Sequence, residues 1–330
     1  MKLNGKNLMI KKNPILLTYY ITNRCNAKCD FCNIWKQENK KDAKKGDVLE
    51  NLKTAKEELK IKFVDFTGGE PLLHNDIIEI LTYAKELNLY TSITTNTKLY
   101  PRMAEQLNNK VDFLLFSIDG TREFHNQNRG GNFFRSLLES IEIAKKLNEN
   151  PDLIYTVTNE SIKYIDDVVE IGQKNNLMVQ INPVFEYFEN EPITGKNLDI
   201  IRKYFWKKNV YVNLAQLKLI ENNGNNLKKP RCRGVTSNLV ISEDNKIILP
   251  CYHNMKWEID INHDLKKAFN SKKRNEIEKQ QGTFPFCQEC TINCYFDPSF
   301  EYEVDKYMFW SLLSRIKYSC EKYFINKFRR

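Results

Sequence analysis

Residues 15–32 read ILLTYYITNRCNAKCDFC, an apolar run followed at once by three cysteines within eight residues. The run has the length and the aromatic and β-branched content of a buried strand. Cys25, Cys29 and Cys32 then fall on the loop that leaves this strand. Because loops at the carboxyl ends of parallel strands carry the chemistry of many α/β folds, the stretch predicts a first strand with a site at its end.

The same pattern of a strand followed by a helix recurs downstream. Apolar or β-rich runs predict strands at residues 15–21, 62–66, 90–95, 113–118, 153–157 and 178–181. Helical spacing of apolar residues predicts helices at 75–87, 133–147 and 162–173. Six such units indicate parallel strands with right-handed crossovers, in a barrel or in an open doubly wound sheet. We expect an α/β fold with a partial (β/α)6 TIM-type barrel, since a closed barrel takes eight units.

The alternation of strands and helices ends near residue 210. A polar joint follows at 222–230 and leads into a second module. Residues 239–241 and 246–249 predict a β-hairpin, and residues 264–281 predict a helix. We therefore expect a core domain at 1–210 and a small α+β domain at 211–330.

A last helix is predicted over residues 304–328. Its apolar face would hold Phe309, Leu313, Ile316, Cys320 and Phe324. On that face Cys320 is expected to pack as a small buried hydrophobe.

The composition narrows the class of protein. The chain has 330 residues, of which 41% are hydrophobic, so it can bury a large core and is not a disordered protein. No apolar run approaches the roughly 18 residues of a membrane span, and the first residues show no secretory signal, so we expect a cytoplasmic protein. Nine cysteines in such a chain indicate metal or redox chemistry rather than disulfides.

The early cysteines form an incomplete ligand set. Three thiolates on one loop leave the fourth position of a metal centre open, whereas structural zinc takes four ligands. On a [4Fe–4S] cluster, three thiolates leave one iron free for a cofactor or substrate. Taken alone, the loop leaves a zinc site as the alternative.

Further motifs stand at later strand ends. Residues 67–71 read TGGEP after the second predicted strand, and residues 117–120 read SIDG after the fourth. Together with the CxxxCxxC loop, these motifs resemble those of the radical S-adenosylmethionine (radical SAM) enzymes over residues 15–185. The resemblance implies that the open iron binds S-adenosylmethionine (SAM). One electron from the cluster then cleaves SAM to a 5′-deoxyadenosyl radical, which abstracts a hydrogen atom from the substrate.

The resemblance also implies which residues bind SAM. They are Phe31 beside the adenine, Gly68, Gly69 and Glu70 beside the methionine amino group, Asn96 in a polar turn, Ser117 and Asp119 at the ribose hydroxyls, and Arg129 at the methionine carboxylate. In this interpretation the glycines are needed because the backbone approaches the methionine closely.

The late cysteines form a second group. Cys232 and Cys251 bracket the predicted hairpin, and Cys287 and Cys290 follow the predicted helix with CxxC spacing. This layout is similar to the twitch or SPASM extension of radical SAM enzymes and implies one auxiliary [4Fe–4S] cluster on these four cysteines. Cys294 is a fifth candidate, as a cluster ligand or as a catalytic hydrogen-atom donor. A zinc ribbon is the alternative for this group.

The resemblance implies an oxidoreductase or a related radical enzyme acting on a peptide or small-molecule substrate, with the auxiliary cluster assisting oxidation or substrate positioning. A carbinol dehydrogenase or an epimerase of a sugar or cofactor precursor is an alternative. The reductant would be a low-potential flavodoxin or ferredoxin. The 24 residues before Cys25 are too few for a peptide-leader recognition domain, which favours a small substrate.

The alternative from another class is a non-catalytic zinc-ribbon or nucleic-acid-binding protein that uses the net charge of +9. Its signature, basic residues interleaved with stacking aromatic residues, is not evident in the sequence, so we expect no nucleic-acid partner.

Overall fold

Ten strands form one sheet in the computed structural model, which describes residues 9–187 and 190–325. They are β1 (Leu16–Thr22), β2 (Phe63–Gly68), β3 (Tyr90–Thr95), β4 (Phe113–Ile118), β5 (Asp152–Val157), β6 (Val179–Pro183), β7 (Val210–Tyr211), β8 (Asn238–Ile241), β9 (Lys246–Leu249) and β10 (Trp257–Asp260). The sheet order is β10-β9-β8-β1-β2-β3-β4-β5-β6-β7. Neighbouring strands are parallel from β8 through β1 to β7, and the β8-β9-β10 edge is antiparallel.

Helices alternate with the parallel strands and follow them in the second half. They are α1 (Lys45–Glu57), α2 (Ile77–Glu86), α3 (Tyr100–Leu107), α4 (Arg122–Asn128), α5 (Phe134–Lys146), α6 (Ile165–Asn175), α7 (Gly195–Tyr204), α8 (Leu214–Glu221), α9 (Gly234–Ser237), α10 (Leu265–Phe269), α11 (Lys272–Lys279), α12 (Asn293–Ser299) and α13 (Lys306–Ser319). Short 3-10 helices span Ile34–Lys36, Pro71–Leu73, Ser161–Tyr164 and Pro285–Cys287, and a π-helical turn spans Cys320–Ile325.

The two faces of the sheet differ in chemistry. Val64, Phe66 and Ile93 are fully buried on the face that packs against the helices. Because side chains alternate along a strand, Asp65 and Ser92 lie on the opposite, concave face. The main apolar core therefore lies between sheet and helices, and the concave face is lined by polar groups.

The predicted α/β fold and partial barrel are confirmed. Strands β3 and β4 have the predicted bounds, and the other four predicted strands shift by one or two residues at their ends. The structure adds the two-residue strand β7, which pairs with β6. This strand is too short to show a pattern in the sequence, and it lies across the predicted domain boundary at 210/211.

The second module extends the same sheet, because β8 pairs in parallel with β1. The predicted hairpin of β8 and β9 is present. The single helix predicted at 264–281 is wrong, since α10 ends at Phe269 and α11 begins at Lys272. Ser271 caps α11 by accepting a hydrogen bond at Oγ from the backbone N of Arg274 at 3.3 Å. The division into two domains at 210/211 stays a prediction.

The last helix packs differently from the prediction. In α13, Ser311 and Ser314 are buried, whereas Phe309 and Ile316 are 61% and 52% exposed. Cys320 is exposed as well, so its predicted burial is wrong. Small serines let α13 approach α8 closely, and Ser314 Oγ accepts a hydrogen bond from the backbone N of Leu214 at 3.0 Å. The side chain of Phe324 and residues 326–328 of the predicted helix lie outside the described residues.

The first turn of α12 crosses the concave face. Asn293 Nδ2 donates a hydrogen bond to Asn182 Oδ1 of β6 at 3.2 Å. Tyr295 packs with Tyr20 of β1 and Val240 of β8. The C-terminal segment therefore fills the open side of the partial barrel. None of the helices in the described ranges combines the length and apolarity of a membrane span.

Candidate functional site

The three cysteines after β1 lie in one desolvated patch. Cys29 is buried, Cys25 and Cys32 are half-buried, and all three pack in a small apolar cluster with Phe133. Burial raises the pKa of Cys29 to about 12, and the nearby thiols of Cys32 and Cys25 add to the rise. Three soft donors this close, with no fourth cysteine among them, fit a [4Fe–4S] cluster with one open iron.

The GGE segment is packed directly against this loop. The backbone N of Gly69 donates to Thr22 O at 2.9 Å, and that of Glu70 donates to Arg24 O at 2.8 Å. A Cβ on Gly68 would collide with the carbonyl oxygen of Thr22, and one on Gly69 with that of Arg24. The absence of side chains is therefore required by contact with the cysteine loop, in addition to any approach to SAM.

Glu70 joins the ends of two strands. Its buried carboxylate accepts hydrogen bonds from Thr95 Oγ1 at 2.8 Å, from the backbone N of Asn96 at 2.7 Å and from the backbone N of Leu72 at 3.2 Å. Asn96 Nδ2 in turn donates to Asn26 Oδ1 on the cysteine loop at 2.6 Å. Glu70 and Asn96 therefore hold the loop in place through protein contacts.

Asp119 and Arg129, predicted to bind different parts of SAM, are paired with each other. Arg129 Nε donates to Asp119 Oδ2 at 2.5 Å, and Nη2 donates to Oδ1 at 2.8 Å. Burial by itself raises the pKa of Asp119, but the charge and hydrogen bonds of Arg129 prevail and lower it. The backbone O of Arg129 accepts from the N of Lys28 at 3.0 Å, which attaches the pair to the cysteine loop.

A cavity of about 220 Å³ opens at the ends of β4, β5 and β6. Phe31 and Asp119, the residues predicted to lie beside the adenine and the ribose of SAM, both line it. Ser117 is buried outside its lining. The cavity is also lined by five residues that were not predicted from the sequence, namely Thr156, Thr158, Asn159, Asn190 and Glu191. Thr156 and Thr158 could have been found, because they stand at the end of a predicted strand.

The four late cysteines of the auxiliary set line one apolar cavity of about 20 Å³. They are Cys232, Cys251, Cys287 and Cys290. Burial raises the pKa of Cys287 to about 11 and that of Cys290 to about 12, and neighbouring thiols add to both shifts. Four thiols around one small space fit a closed [4Fe–4S] cluster, and they also satisfy the donor set of zinc.

Cys294 is not among these four. It lies on the first turn of α12 and is accessible to solvent, yet burial raises its pKa to about 12, and the charges of Asp65 and Asp297 add to the rise. Cys294 therefore faces the concave side of the sheet, where Asp65 also lies, rather than the auxiliary cysteines.

Asp65 was missed by the sequence analysis. It is on the concave face, hydrogen-bonded to Ser92, and burial raises its pKa to about 6. A carboxylate within an otherwise apolar strand was the available signal.

Aromatic rings lie between the two cysteine sites. Tyr20 and Tyr252 are stacked, with ring centroids 3.7 Å apart, and the ring of His253 meets that of Tyr187 edge-on at 4.4 Å. Burial lowers the pKa of His253 to about 4, so the imidazole is neutral at pH 7. The charges of Cys32 and Cys251 both raise the pKa of Tyr187, although burial is the larger cause. These rings therefore form the wall between the two sites.

Fold and site together define an α/β partial-barrel protein with its chemistry at the carboxyl ends of the strands. Residues 19–171 match the sequence model of the Radical SAM superfamily. These residues form a Radical SAM domain.

Among curated proteins, a probable GTP 3',8-cyclase of Sulfurisphaera tokodaii is 24% identical over 309 residues, which cover 87% of this chain and 94% of that protein. The GTP 3',8-cyclase of Clostridium botulinum (strain Okra) is 28% identical over 279 residues, covering 76% of this chain and 86% of that protein.

Two similar solved structures contain a bound peptide. The structure of anSMEcpe with bound AdoMet and a peptide has a TM-score of 0.62 and 18% identity, covering 93% of this chain and 97% of that chain. Streptococcus suis SuiB bound to the precursor peptide SuiA has a TM-score of 0.63 and 18% identity, covering 90% and 76%. At such identities the likeness establishes the fold.

Proposed function

We propose that this chain binds SAM and a [4Fe–4S] cluster at Cys25, Cys29 and Cys32, and abstracts a hydrogen atom from an unphosphorylated peptide or small molecule. The observation that carries the proposal is the desolvated patch of three thiols, packed against the GGE segment. When bound, the cluster supplies the electron that cleaves SAM to a 5′-deoxyadenosyl radical.

The residues around the patch position SAM and exclude water. Phe31 and Asp119 line a cavity that fits the adenosine, and Arg129 places a fixed positive charge beside the cysteine loop. Glu70 and Asn96 keep the loop rigid through buried hydrogen bonds. Such preorganisation lets the radical form in one orientation relative to the substrate.

The auxiliary site is assigned one [4Fe–4S] cluster on Cys232, Cys251, Cys287 and Cys290. Since all four thiols share one cavity, each iron of the cluster has a protein ligand and none is left for substrate. The role that fits a closed cluster is electron transfer, in which it accepts the electron of the oxidised substrate radical. For a substrate radical that is quenched instead of oxidised, Cys294 on the concave face is the hydrogen-atom donor.

The concave face also indicates the charge of the substrate. Its strand positions are Thr18, Tyr20, Asp65, Thr67, Ser92, Thr94, Leu115, Ser117, Ile154, Thr156, Gln180 and Asn182. None of them is lysine or arginine. A buried triphosphate needs paired cations, so this surface favours a neutral or cationic substrate.

GTP cyclisation is the second candidate, because the Sulfurisphaera relative aligns over 94% of its length. The two candidates are separated by measuring 5′-deoxyadenosine and nucleotide products after anaerobic reconstitution. We expect GTP neither to raise the rate of SAM cleavage nor to be converted. Formation of a 3′,8-cyclised nucleotide would replace the peptide or small-molecule proposal.

A further inference from the structure

A large groove lies outside both sites. It has a volume of about 890 Å³, runs between the end of α8, the loop at 222–233 and the start of α13, and shares no lining residue with the two cavities above. Nothing in the proposed function uses it.

One layer of backbone separates this groove from the auxiliary cysteines. Gly224 and Asn226 line the groove, whereas Asn225 between them lines the cysteine cavity. In the same way Arg231 and Arg233 line the groove, and Cys232 between them lines the cavity. Alternate residues of the same two segments therefore face opposite sides.

The layer is also tightly packed. A Cβ on Gly224 would collide with the carbonyl oxygen of Glu289, and the backbone N of Asn225 donates to Cys290 O at 3.0 Å. The groove is thus a surface from which the auxiliary site is reached across a single peptide layer.

The groove is positively charged. Arg231 is paired with Asp305 at 2.6 Å, and Arg233 is paired with Glu303. Among its lining residues this leaves Lys228, Lys229 and Lys306, which are exposed and have no carboxylate of a described residue within ion-pair distance. Unpaired surface cations next to a redox centre attract an acidic partner and speed its association.

We propose that this groove is the docking site of an acidic one-electron carrier protein, a flavodoxin or ferredoxin, which exchanges electrons with the auxiliary cluster. The proposal rests on the proposed function, because it needs that cluster. A weak, charge-steered contact of this kind is typical of redox partners and requires only a small interface.

The substrate radical gives one electron to the auxiliary cluster, which passes from the 2+ to the 1+ state, and the substrate's proton leaves to water. The oxidised carrier takes this electron and returns the cluster to 2+. The carrier, now reduced by one electron, supplies the single electron that the next cleavage of SAM consumes.

The test uses the reconstituted holoenzyme and an acidic flavodoxin. The groove variant carries Lys228→Glu, Lys229→Glu and Lys306→Glu. A control variant with the same change of charge carries Lys53→Glu, Lys146→Glu and Lys196→Glu, which are exposed positions on α1, α5 and α7. Iron content and EPR spectra, recorded first, establish that both clusters are present in each protein.

Stopped-flow spectroscopy then measures electron transfer between flavodoxin and the auxiliary cluster at low and high salt. We expect the groove variant to lose at least about tenfold in rate at low salt and most of the salt dependence, while the control variant keeps both. Methyl viologen radical, a small cationic reductant, should reduce the cluster of all three proteins at similar rates. Carbodiimide cross-linking should join flavodoxin carboxylates to the three groove lysines.

Equal flavodoxin rates in the groove variant and wild type would overturn the docking site, as would an equal loss in the control variant. Protection of the groove lysines by an acidic peptide but not by flavodoxin would assign the groove to a different partner and also overturn it. Absence of the auxiliary cluster from the wild type would instead refute the proposed function, and the iron and EPR data reveal that outcome separately.

Discussion

Arg129 holds Asp119 through two hydrogen bonds, Nε to Oδ2 at 2.5 Å and Nη2 to Oδ1 at 2.8 Å, and both side chains are buried. The pair stands beside Cys29, whose pKa Arg129 lowers against the larger effect of burial. A charge that cannot escape to solvent is thereby fixed next to the loop that would carry the cluster.

Replacing Arg129 should cost more stability than its surface area suggests. Arg129→Met leaves a buried carboxylate uncompensated, which costs about 3–5 kcal/mol at neutral pH. Adding Asp119→Asn should recover much of this loss, because the uncompensated charge is then gone. Urea unfolding of the metal-free chain measures both effects, with Arg135→Met, an exposed arginine on α5, as control.

The same pair has a pH signature. The lowered pKa of Asp119 means that its stabilisation is present above the normal carboxyl pKa and is lost as pH falls through the folded value. Arg129→Met should lack this loss in acid. Parallel curves for wild type and variant would contradict the assigned role of the pair.

Glu70 should act mainly through the cysteine loop. Glu70→Gln keeps the shape but removes one acceptor oxygen from three buried hydrogen bonds, so we expect a loss of about 1–3 kcal/mol in the free energy of unfolding. The variant should also retain less iron at the first site. Glu79→Gln, on the exposed side of α2, is the control and should change neither quantity. Full stability and full iron in Glu70→Gln would show that the three bonds do not hold the loop.

Asp65 should make the chain less stable as pH rises. Burial raises its pKa from 3.8 to about 6, so between these values the folded chain binds more protons than the unfolded chain. Its contribution to the free energy of unfolding therefore falls from about pH 4 to about pH 6 and is constant above. Asp65→Asn should gain stability relative to wild type at pH 7 but not at pH 4, whereas the exposed Asp244→Asn should not. If the difference in the free energy of unfolding between Asp65→Asn and wild type is the same at pH 4 and at pH 7, the result would argue against a buried Asp65 with a raised pKa.

The late cysteines should separate into two classes by iron content. Cys287→Ala removes one of four thiols in the auxiliary cavity and should lower iron from about eight to about four atoms per chain while the first cluster stays bound. Cys294→Ala should leave the iron unchanged, because that thiol lies apart on α12. Iron analysis with EPR distinguishes them, and loss of iron in Cys294→Ala would make Cys294 a ligand.

Regular elements could be predicted from the sequence wherever one physical signal dominates. Strand β4 (Phe113–Ile118) is a continuous apolar run between polar turns, and its bounds agree with the prediction. The helix at 264–281 could not be predicted correctly, because Ser271 ends the helical pattern by capping a new helix rather than by breaking the apolar spacing. The prediction of which face of α13 is buried was wrong, because the buried residues Ser311 and Ser314 are serines and carry no hydrophobic signal.

The candidate site was predicted only as far as its motifs extend. The cysteines and the GGE segment stand out in the chain, but the pairing of Asp119 with Arg129 depends on where α4 ends. Cys294 is close in sequence to Cys290, yet α12 begins between them and turns the thiol toward Asp65. These side-chain positions are set by tertiary packing, and the local sequence contains no pattern that predicts them.

The central claim is tested most directly by anaerobic reconstitution followed by reduction with SAM present. The wild-type chain should bind about eight irons and release 5′-deoxyadenosine. Cys29→Ala should abolish that product, and the exposed Cys320→Ala should preserve it. Zinc without iron in the anaerobically purified chain, together with no 5′-deoxyadenosine after reduction, would contradict the account.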